Sequence, residues 1–127
     1  MVQLAQKRNK RVERIMHELG ITLEIFELIE EIIEEQKLKK VSSVTVTVGE
    51  LSGVLPDYFK ECWNAARLGT VFESTELEIE FIPAKAKCSC GCIYEMQKNN
   101  RICPECQKTD YEIIKGREFT VKQIEAC

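Results

Sequence analysis

Five of the seven cysteines in this chain lie between residues 88 and 106. Cys103 and Cys106 have two residues between them, a spacing at which both thiolates can reach one tetrahedral Zn(II). The backbone between such a pair turns and points N–H groups at the sulfurs. Cys88, Cys90 and Cys92 are each separated by a single residue, so they contain no second pair of this kind. Because a tetrahedral site takes four thiolates, one of these three is spare.

The identity of the spare cysteine depends on local backbone geometry. Gly91 follows Cys90, and a glycine after a chelating cysteine lets the backbone turn tightly with a positive φ, as in zinc-ribbon knuckles. Cys88 and Cys92, with three residues between them, have the more usual spacing of zinc ligands. The favoured zinc ligands are Cys88, Cys90, Cys103 and Cys106, with Cys92 competing for the place of Cys90.

Disulfides are the alternative use for this many cysteines. No apolar run follows the basic N-terminus, so the sequence shows no secretory signal. We therefore expect a cytoplasmic, reducing location, in which disulfides are rare. In a short chain of this kind, paired cysteines indicate a metal site.

The charge of the chain is unevenly distributed. Residues 1–15 contain five basic residues and one acidic residue, a net +4, whereas the whole chain carries −3, which leaves −7 for residues 16–127. An acidic body argues against nucleic-acid binding, because phosphate contacts are built from clustered Lys and Arg. No apolar run is long enough to cross a bilayer, so we expect no membrane partner.

Hydrophobic periodicity predicts an α+β fold, with two helices packed on a three-stranded sheet and an inserted zinc-ribbon-like module. The expected elements are a helix from His17 to near Lys39, a strand from Val41 to Gly49, a helix from Pro56 to about Leu68, and strands over 75–82, 111–114 and 117–124. Three regions follow: a basic N-terminal extension over 1–15, a body over 16–84 and 111–127, and a zinc module over 85–110.

Four motifs in this order resemble the HypA/HybF family of hydrogenase maturation nickel chaperones. They are Met16-His17-Glu18-Leu19, Gly49-Glu50-Leu51-Ser52-Gly53, the paired cysteines, and the ending from Gly116-Arg117-Glu118 to Ile124-Glu125. The resemblance implies a non-enzymatic protein that binds one Ni(II) and one structural Zn(II). It also implies transfer of nickel to the large subunit of a [NiFe] hydrogenase, together with an accessory GTPase. A monomer or weak dimer is expected.

By position, His17 is the nickel histidine that the resemblance implies, with Met16 and Glu18 as contributors. Ni(II) favours square-planar nitrogen coordination, and a histidine one residue from a free N-terminus offers its imidazole, the terminal amine and amide nitrogens. Here Met16 is internal. Either translation starts at Met16 and residues 1–15 reflect a misassigned start, which we prefer, or the extension remodels the site. The chain is also one residue short of the family's first C-x2-C pair, which leaves the second zinc ligand open.

Two other functions fit parts of the sequence. A zinc-ribbon adaptor would bind a protein or nucleic acid through the basic tail, but the basic residues near the cysteines are diluted by acids. A thiol oxidoreductase would use Cys103 and Cys106 as an isolated reactive pair, which the nearby cysteines argue against. The nickel chaperone is therefore the preferred hypothesis.

Overall fold

The computed structural model describes residues 10–127, with side chains from Glu13 onward. These residues form two helices and six strands. In chain order they are α1 (Lys10–Gln36), β1 (Val41–Gly49), α2 (Pro56–Ala66), β2 (Glu76–Ile82), β3 (Lys85–Cys88), β4 (Ile93–Glu95), β5 (Tyr111–Lys115) and β6 (Phe119–Ala126). Neither helix is long and apolar enough to cross a membrane.

Helix α1 begins at Lys10, so the predicted start at His17 is wrong. The residues before His17 include good helix formers, and Arg14 pairs with Glu18 one turn later, at 3.5 Å between Nε and Oε1. The thiol of Cys62 also donates to the carbonyl oxygen of Ile15 at 3.3 Å, which gives this turn a tertiary contact. The predicted basic N-terminal extension over 1–15 falls partly on residues 1–9, which lie outside the described residues.

The strands form two three-stranded sheets, in the orders β2-β1-β6 and β4-β3-β5. The first sheet and the two helices confirm the predicted α+β fold. The second sheet contains β3 and β4 from the predicted module over 85–110, and also β5, which the sequence had assigned to the body but which pairs with β3. Strands β3 and β4 were not predicted, because alternation cannot be recognised over so few residues. The alternation of valines with Ser and Thr in β1 predicts a half-buried strand, but as the middle strand β1 buries Ser43 and Thr47 as well as its valines.

One compact unit comprises the described residues up to Val44 together with Leu55–Leu77 and Ile124–Cys127. Its core is aromatic: Phe26 on α1 stacks on Phe72, with ring centroids 4.4 Å apart, and meets Trp63 on α2 edge-on at 4.8 Å. Such pairs contribute about 0.5–1.5 kcal/mol beyond their buried area. The indole N–H of Trp63 donates to the carbonyl oxygen of Thr75 at 3.2 Å, so this buried side chain leaves no donor unsatisfied.

The second compact unit comprises Thr45–Val54 and Glu78–Gln123. Its buried cluster is small and includes two cysteines, namely Ala84, Ala86, Cys88, Tyr94, Met96 and Cys103. Two alanines and two cysteines bury little apolar area compared with the aromatic core of the first unit. A core this small needs an additional source of stability, such as a metal.

The turn after β1 contacts both chain segments that lead into and out of the cysteine-bearing region. The N–H of Gly49 donates to the carbonyl of Glu118 at 2.6 Å, and the carboxylate of Glu50 accepts from the N–H of Ala84 at 2.7 Å. A Cβ on Gly49 would overlap the backbone carbonyl of Gly116. Glycine at position 49 therefore allows two backbone segments to approach closely.

Candidate metal centres

Four cysteine sulfurs converge in the second unit. All lie within 4.8 Å of one another, and they belong to Cys88, Cys90, Cys103 and Cys106. The sulfurs of Cys88 and Cys106 are 3.3 Å apart and those of Cys90 and Cys103 are 3.7 Å apart. Tetrahedral zinc with Zn–S bonds of about 2.3 Å separates its sulfurs by about 3.8 Å. The group thus has the donor type, number and spacing of a closed tetrathiolate site.

Two backbone turns position these sulfurs. Cys88 ends β3, and the loop that follows is closed by a 2.9 Å bond from the N–H of Gly91 to the carbonyl of Cys88. Gly91 has a φ of 94°, as its position after Cys90 suggested. On the other side, the N–H of Gln107 donates to the carbonyl of Cys103 at 2.8 Å and closes the turn that contains Cys106. Both turns direct their cysteines toward one point.

The environment of the four thiols favours negative charge on one sulfur and disfavours it on another. Burial raises the pKa of Cys103, but hydrogen bonds from the backbone N–H groups of Cys106 and Glu105 and from the thiols of Cys90 and Cys106 together outweigh burial and lower that pKa to about 6. The N–H of Lys108 favours the Cys106 thiolate, but the neighbouring thiol of Cys88 together with burial raises the pKa of Cys106 to about 12. Hydrogen bonding among the thiols and burial therefore limit full deprotonation, which a bound dication would favour.

Cys92, the competing candidate, does not belong to the group of four. Its side chain is half-buried against the small core, and its sulfur is 3.9 Å from the carbonyl oxygen of Ile93. The structure thus gathers the four cysteines that the sequence favoured. Their role as zinc ligands stays a prediction.

His17 lies on α1 with 49% of its side chain exposed. Its Nδ1 is 3.3 Å from Oε2 of Glu18. Because a carboxylate only accepts hydrogen bonds, Nδ1 carries the proton when this bond forms, and Nε2 is then the free acceptor. Met16 is also exposed. The imidazole is thus accessible to an ion and is held by an adjacent acid.

Glu18, in contrast, is completely buried. Its Oε1 accepts a 3.1 Å hydrogen bond from the N–H of Leu55 and lies 3.5 Å from Nε of Arg14. Neither of these two contacts of Oε1 was predicted from the sequence. The contact with Arg14 could have been predicted, because Arg14 lies one helical turn before Glu18. The contact with Leu55 spans a long sequence separation and left no local signal.

The backbone nitrogens of the proposed nickel motif lie inside α1. Only the first four N–H groups of an α-helix lack a carbonyl partner. Because α1 begins at Lys10, the amides of Met16, His17 and Glu18 come after that first turn and donate within the helix. In the described conformation the side chain of His17 is therefore available, but the adjacent peptide nitrogens are not.

Comparison with known proteins identifies one family. The family model HypA, described as "Hydrogenase/urease nickel incorporation, metallochaperone", matches residues 16–126. The hydrogenase maturation factor HypA of Dehalococcoides mccartyi strain CBDB1 is 39% identical over 111 residues, which cover 87% of this chain and 93% of that protein. The corresponding factor of Aquifex aeolicus is 37% identical, with coverage of 87% and 96%.

Two solved structures share the fold. A solution structure of a HypA protein has a TM-score of 0.64 at 22% identity, with coverage of 88% of this chain and 97% of that one. The solution structure of the Ni metallochaperone HypA from Helicobacter pylori has a TM-score of 0.58 at 20% identity, with coverage of 86% and 96%. At these identities the likeness concerns the fold alone.

Proposed function

The chain belongs to the HypA family of hydrogenase/urease nickel-incorporation metallochaperones, and from this premise we propose that it binds Ni(II) as cargo and delivers it to the large subunit of a [NiFe] hydrogenase. The proposal includes an accessory GTPase as partner, a cytoplasmic location and no catalytic activity of its own. The zinc site, within residues 85–110, is proposed to be structural.

The observation that carries this proposal is the coincidence of the family match with an accessible histidine. The match starts at Met16, and the next residue is His17, the only histidine in the sequence. Its imidazole is half-exposed and faces the carboxylate of Glu18. A ligand at the surface suits a chaperone, because an ion bound there can be passed to a partner protein. For this reason we prefer the nickel chaperone to the zinc-ribbon adaptor.

Helix geometry indicates how the complete nickel chelate would form. Nδ1 is the ring nitrogen close enough to the backbone to share a chelate with peptide nitrogens. In a chain that begins at Met16, the amides of His17 and Glu18 fall among the first four of the helix, which have no carbonyl partner. A terminal amine, these amides and Nδ1 then supply the nitrogen donors that square-planar Ni(II) prefers. We propose that the chelate forms in this way, with Nδ1 leaving Glu18.

The zinc proposal rests on the donor set and the small core. Four thiolates fill the coordination sphere of zinc and leave no open position, which suits a structural rather than a catalytic ion. Two of the four cysteines, Cys88 and Cys103, are themselves part of the buried cluster of the second unit. Zinc bound there would link β3 to the turn around Cys106.

Competition between nickel and zinc tests both sites. The full chain and a version beginning at Met16 are each titrated with Ni(II) in the presence of one equivalent of Zn(II), and bound metal is measured by mass spectrometry. We expect one zinc in both proteins and one nickel in the shorter one, with visible absorption of a square-planar site. The full chain should bind nickel at least about tenfold more weakly, or ~1.4 kcal/mol. Equal nickel affinity in both proteins would contradict the N-terminal chelate.

Delivery needs a separate measurement. The nickel-loaded protein is incubated with the precursor of the hydrogenase large subunit, with and without the accessory GTPase, and nickel in the large subunit is counted with a radioactive isotope. Transfer above the level given by free Ni(II) at the same concentration is expected. Transfer no faster than from free Ni(II) would argue against a chaperone role.

A further inference from the structure

We infer that Cys92 is a fifth, exchangeable ligand of the zinc site, able to replace Cys90 while the other three thiolates stay bound. This inference rests on the proposed zinc site and assigns a role to the one cysteine of the segment that lies outside the group of four. It follows from the register of one hairpin, from the difference in exposure between Cys90 and Cys92, and from the buried core against which Cys92 packs.

The hairpin register places Cys92 opposite Cys88. Strands β3 and β4 pair antiparallel, with Ala86 opposite Tyr94 and Lys87 opposite Ile93. The next pair is Cys88 and Cys92, and the N–H of Cys88 donates to the carbonyl of Cys92 at 2.9 Å. Directly opposed residues point to the same face of a hairpin, with Cβ atoms about 4.5–5.5 Å apart. Cys92 therefore projects to the same side as a residue of the sulfur cluster.

That face is the buried one. Ala86 and Tyr94, the preceding pair on the same side, are buried in the core that contains Cys88 and Cys103, and Cys92 packs against this core. The residues between them, Lys87 and Ile93, are exposed on the opposite side. The backbone of Cys92 directly precedes β4 and is held by its hydrogen bond to Cys88, so a side-chain rotation would bring its sulfur toward the other thiolates.

Cys90 is held much less firmly. It lies in the short loop between the two strands, is exposed, and is followed by Gly91 in the left-handed region. Together with Cys88 it lines a cleft of about 530 Å³. Its sulfur lies 3.7 Å from that of Cys103. Of the four gathered cysteines, Cys90 is thus the one that can leave with least disturbance.

The exchange conserves charge and atoms. The thiol of Cys92 loses its proton as its sulfur bonds to zinc, and the thiolate of Cys90 takes up a proton as its bond to zinc breaks. Zinc keeps four thiolates before and after, so the exchange requires no oxidant and no change in the net charge of the site. The first pair of ligands changes from Cys88 and Cys90, with one residue between them, to Cys88 and Cys92, with three. Zinc chelates commonly use the second spacing.

Cobalt substitution in single variants tests this inference. C90S and C92S are each expected to bind one Co(II) with the sulfur-to-metal absorption of four thiolates, whereas the double variant C90S/C92S should show only three. The C127S variant, which changes an exposed cysteine outside the group, should match the unchanged protein. A three-thiolate spectrum for C90S, equal to that of the double variant, would overturn the exchange.

A second measurement uses the unchanged protein, so its result does not depend on whether a variant folds. With ¹¹³Cd in place of zinc, proton–cadmium couplings identify the bound cysteines directly. Couplings to Cys88, Cys103 and Cys106 are expected at full strength, with Cys90 and Cys92 sharing the fourth position. Four couplings with none to Cys92 would refute the exchange and leave the tetrathiolate site standing. If no metal is bound through these cysteines, the proposed zinc site fails, and this inference fails with it.

Discussion

The carboxylate of Glu18 accepts a hydrogen bond from the backbone N–H of Leu55 at 3.1 Å. Leu55 is the N-cap residue of α2, and its own side chain provides no capping hydrogen bond. A buried acid on the first helix thus satisfies a donor at the start of the second and places negative charge near its positive end. The same carboxylate contacts His17, so the proposed nickel ligand is connected to the interior of its unit.

Replacing Glu18 by alanine should destabilise the first unit. The change removes the acceptor of a partly buried N–H, that of Leu55, and the loss of such a hydrogen bond costs about 0.5–1.5 kcal/mol. Glu18→Gln keeps an acceptor oxygen and should cost less. Urea unfolding followed by Trp63 fluorescence measures the difference, with Glu24→Ala on the exposed face of the same helix as control. If Glu18→Ala lost no more stability than this control, the capping role would be wrong.

Replacing His17 by alanine should abolish nickel binding in the protein that begins at Met16 and leave zinc content and unfolding midpoint unchanged. The imidazole is half-exposed, so its loss creates no buried cavity and should alter stability by less than about 0.5 kcal/mol. Isothermal titration with Ni(II) gives the affinity, and Glu24→Ala serves again as control. Retained nickel affinity would remove His17 from the site.

Replacing Cys106 by serine should lose zinc and disorder residues 85–110 while the two helices and the β2-β1-β6 sheet stay folded. Structural zinc in small modules stabilises folding by on the order of 10 kcal/mol, and the buried cluster here is too small to compensate. Metal analysis measures the zinc content. NMR spectra then show which part stays folded, since Trp63 reports on the helices and Tyr94 on residues 85–110. The Cys127→Ser variant should behave like the unchanged chain. If the Trp63 and Tyr94 signals were both lost in this variant, the independent folding of the two parts would be disproved.

Replacing Gly49 by alanine should destabilise the junction after β1. The new methyl group would overlap the backbone of Gly116, and backbone atoms cannot move aside as a flexible side chain can. We expect a loss of about 1–3 kcal/mol or more. Gly20→Ala is the matched control, because nothing lies within 4 Å of its Cβ position and alanine in a helix gains about 0.5–1 kcal/mol. Equal thermal midpoints for the two variants would contradict the close approach.

Glu118 should make stability depend on pH in acid. Hydrogen bonds from the backbone N–H groups of Gly116 and Arg117 hold its pKa below the ordinary value of 4.5. A carboxyl whose pKa is lower in the folded state stabilises the fold above its unfolded pKa, and this contribution disappears as pH falls through the folded pKa. Glu118→Gln should therefore be less stable than the unchanged chain at neutral pH, and this difference should shrink below pH 4.5. A difference that stays constant in thermal scans across this range would be evidence against the effect.

Local patterns were sufficient to predict the candidate ligands and all the elements except the short strands β3 and β4. Strand β2 is nearly where alternation placed it, and α2 starts at Pro56 as predicted. The order of elements also indicated a module inserted before the last strand of the first sheet. These features depend on interactions between residues close in the chain, which is why a single sequence reveals them. The start of α1 was the exception, because tail residues without an apolar stripe gave no sign of the contact between Ile15 and Cys62.

Other features were decided only by tertiary structure. The sequence left Cys90 and Cys92 as competitors, whereas the fold brings the sulfur of Cys90 to Cys103 and pairs Cys92 with Cys88 across a hairpin. The fold also places the N–H of Leu55 within hydrogen-bonding distance of the Glu18 carboxylate, although the two residues lie far apart in the chain. Such contacts form because folding closes long loops, and the entropic cost of closure is recovered by burial elsewhere in the molecule. Sequence spacing alone therefore cannot specify them.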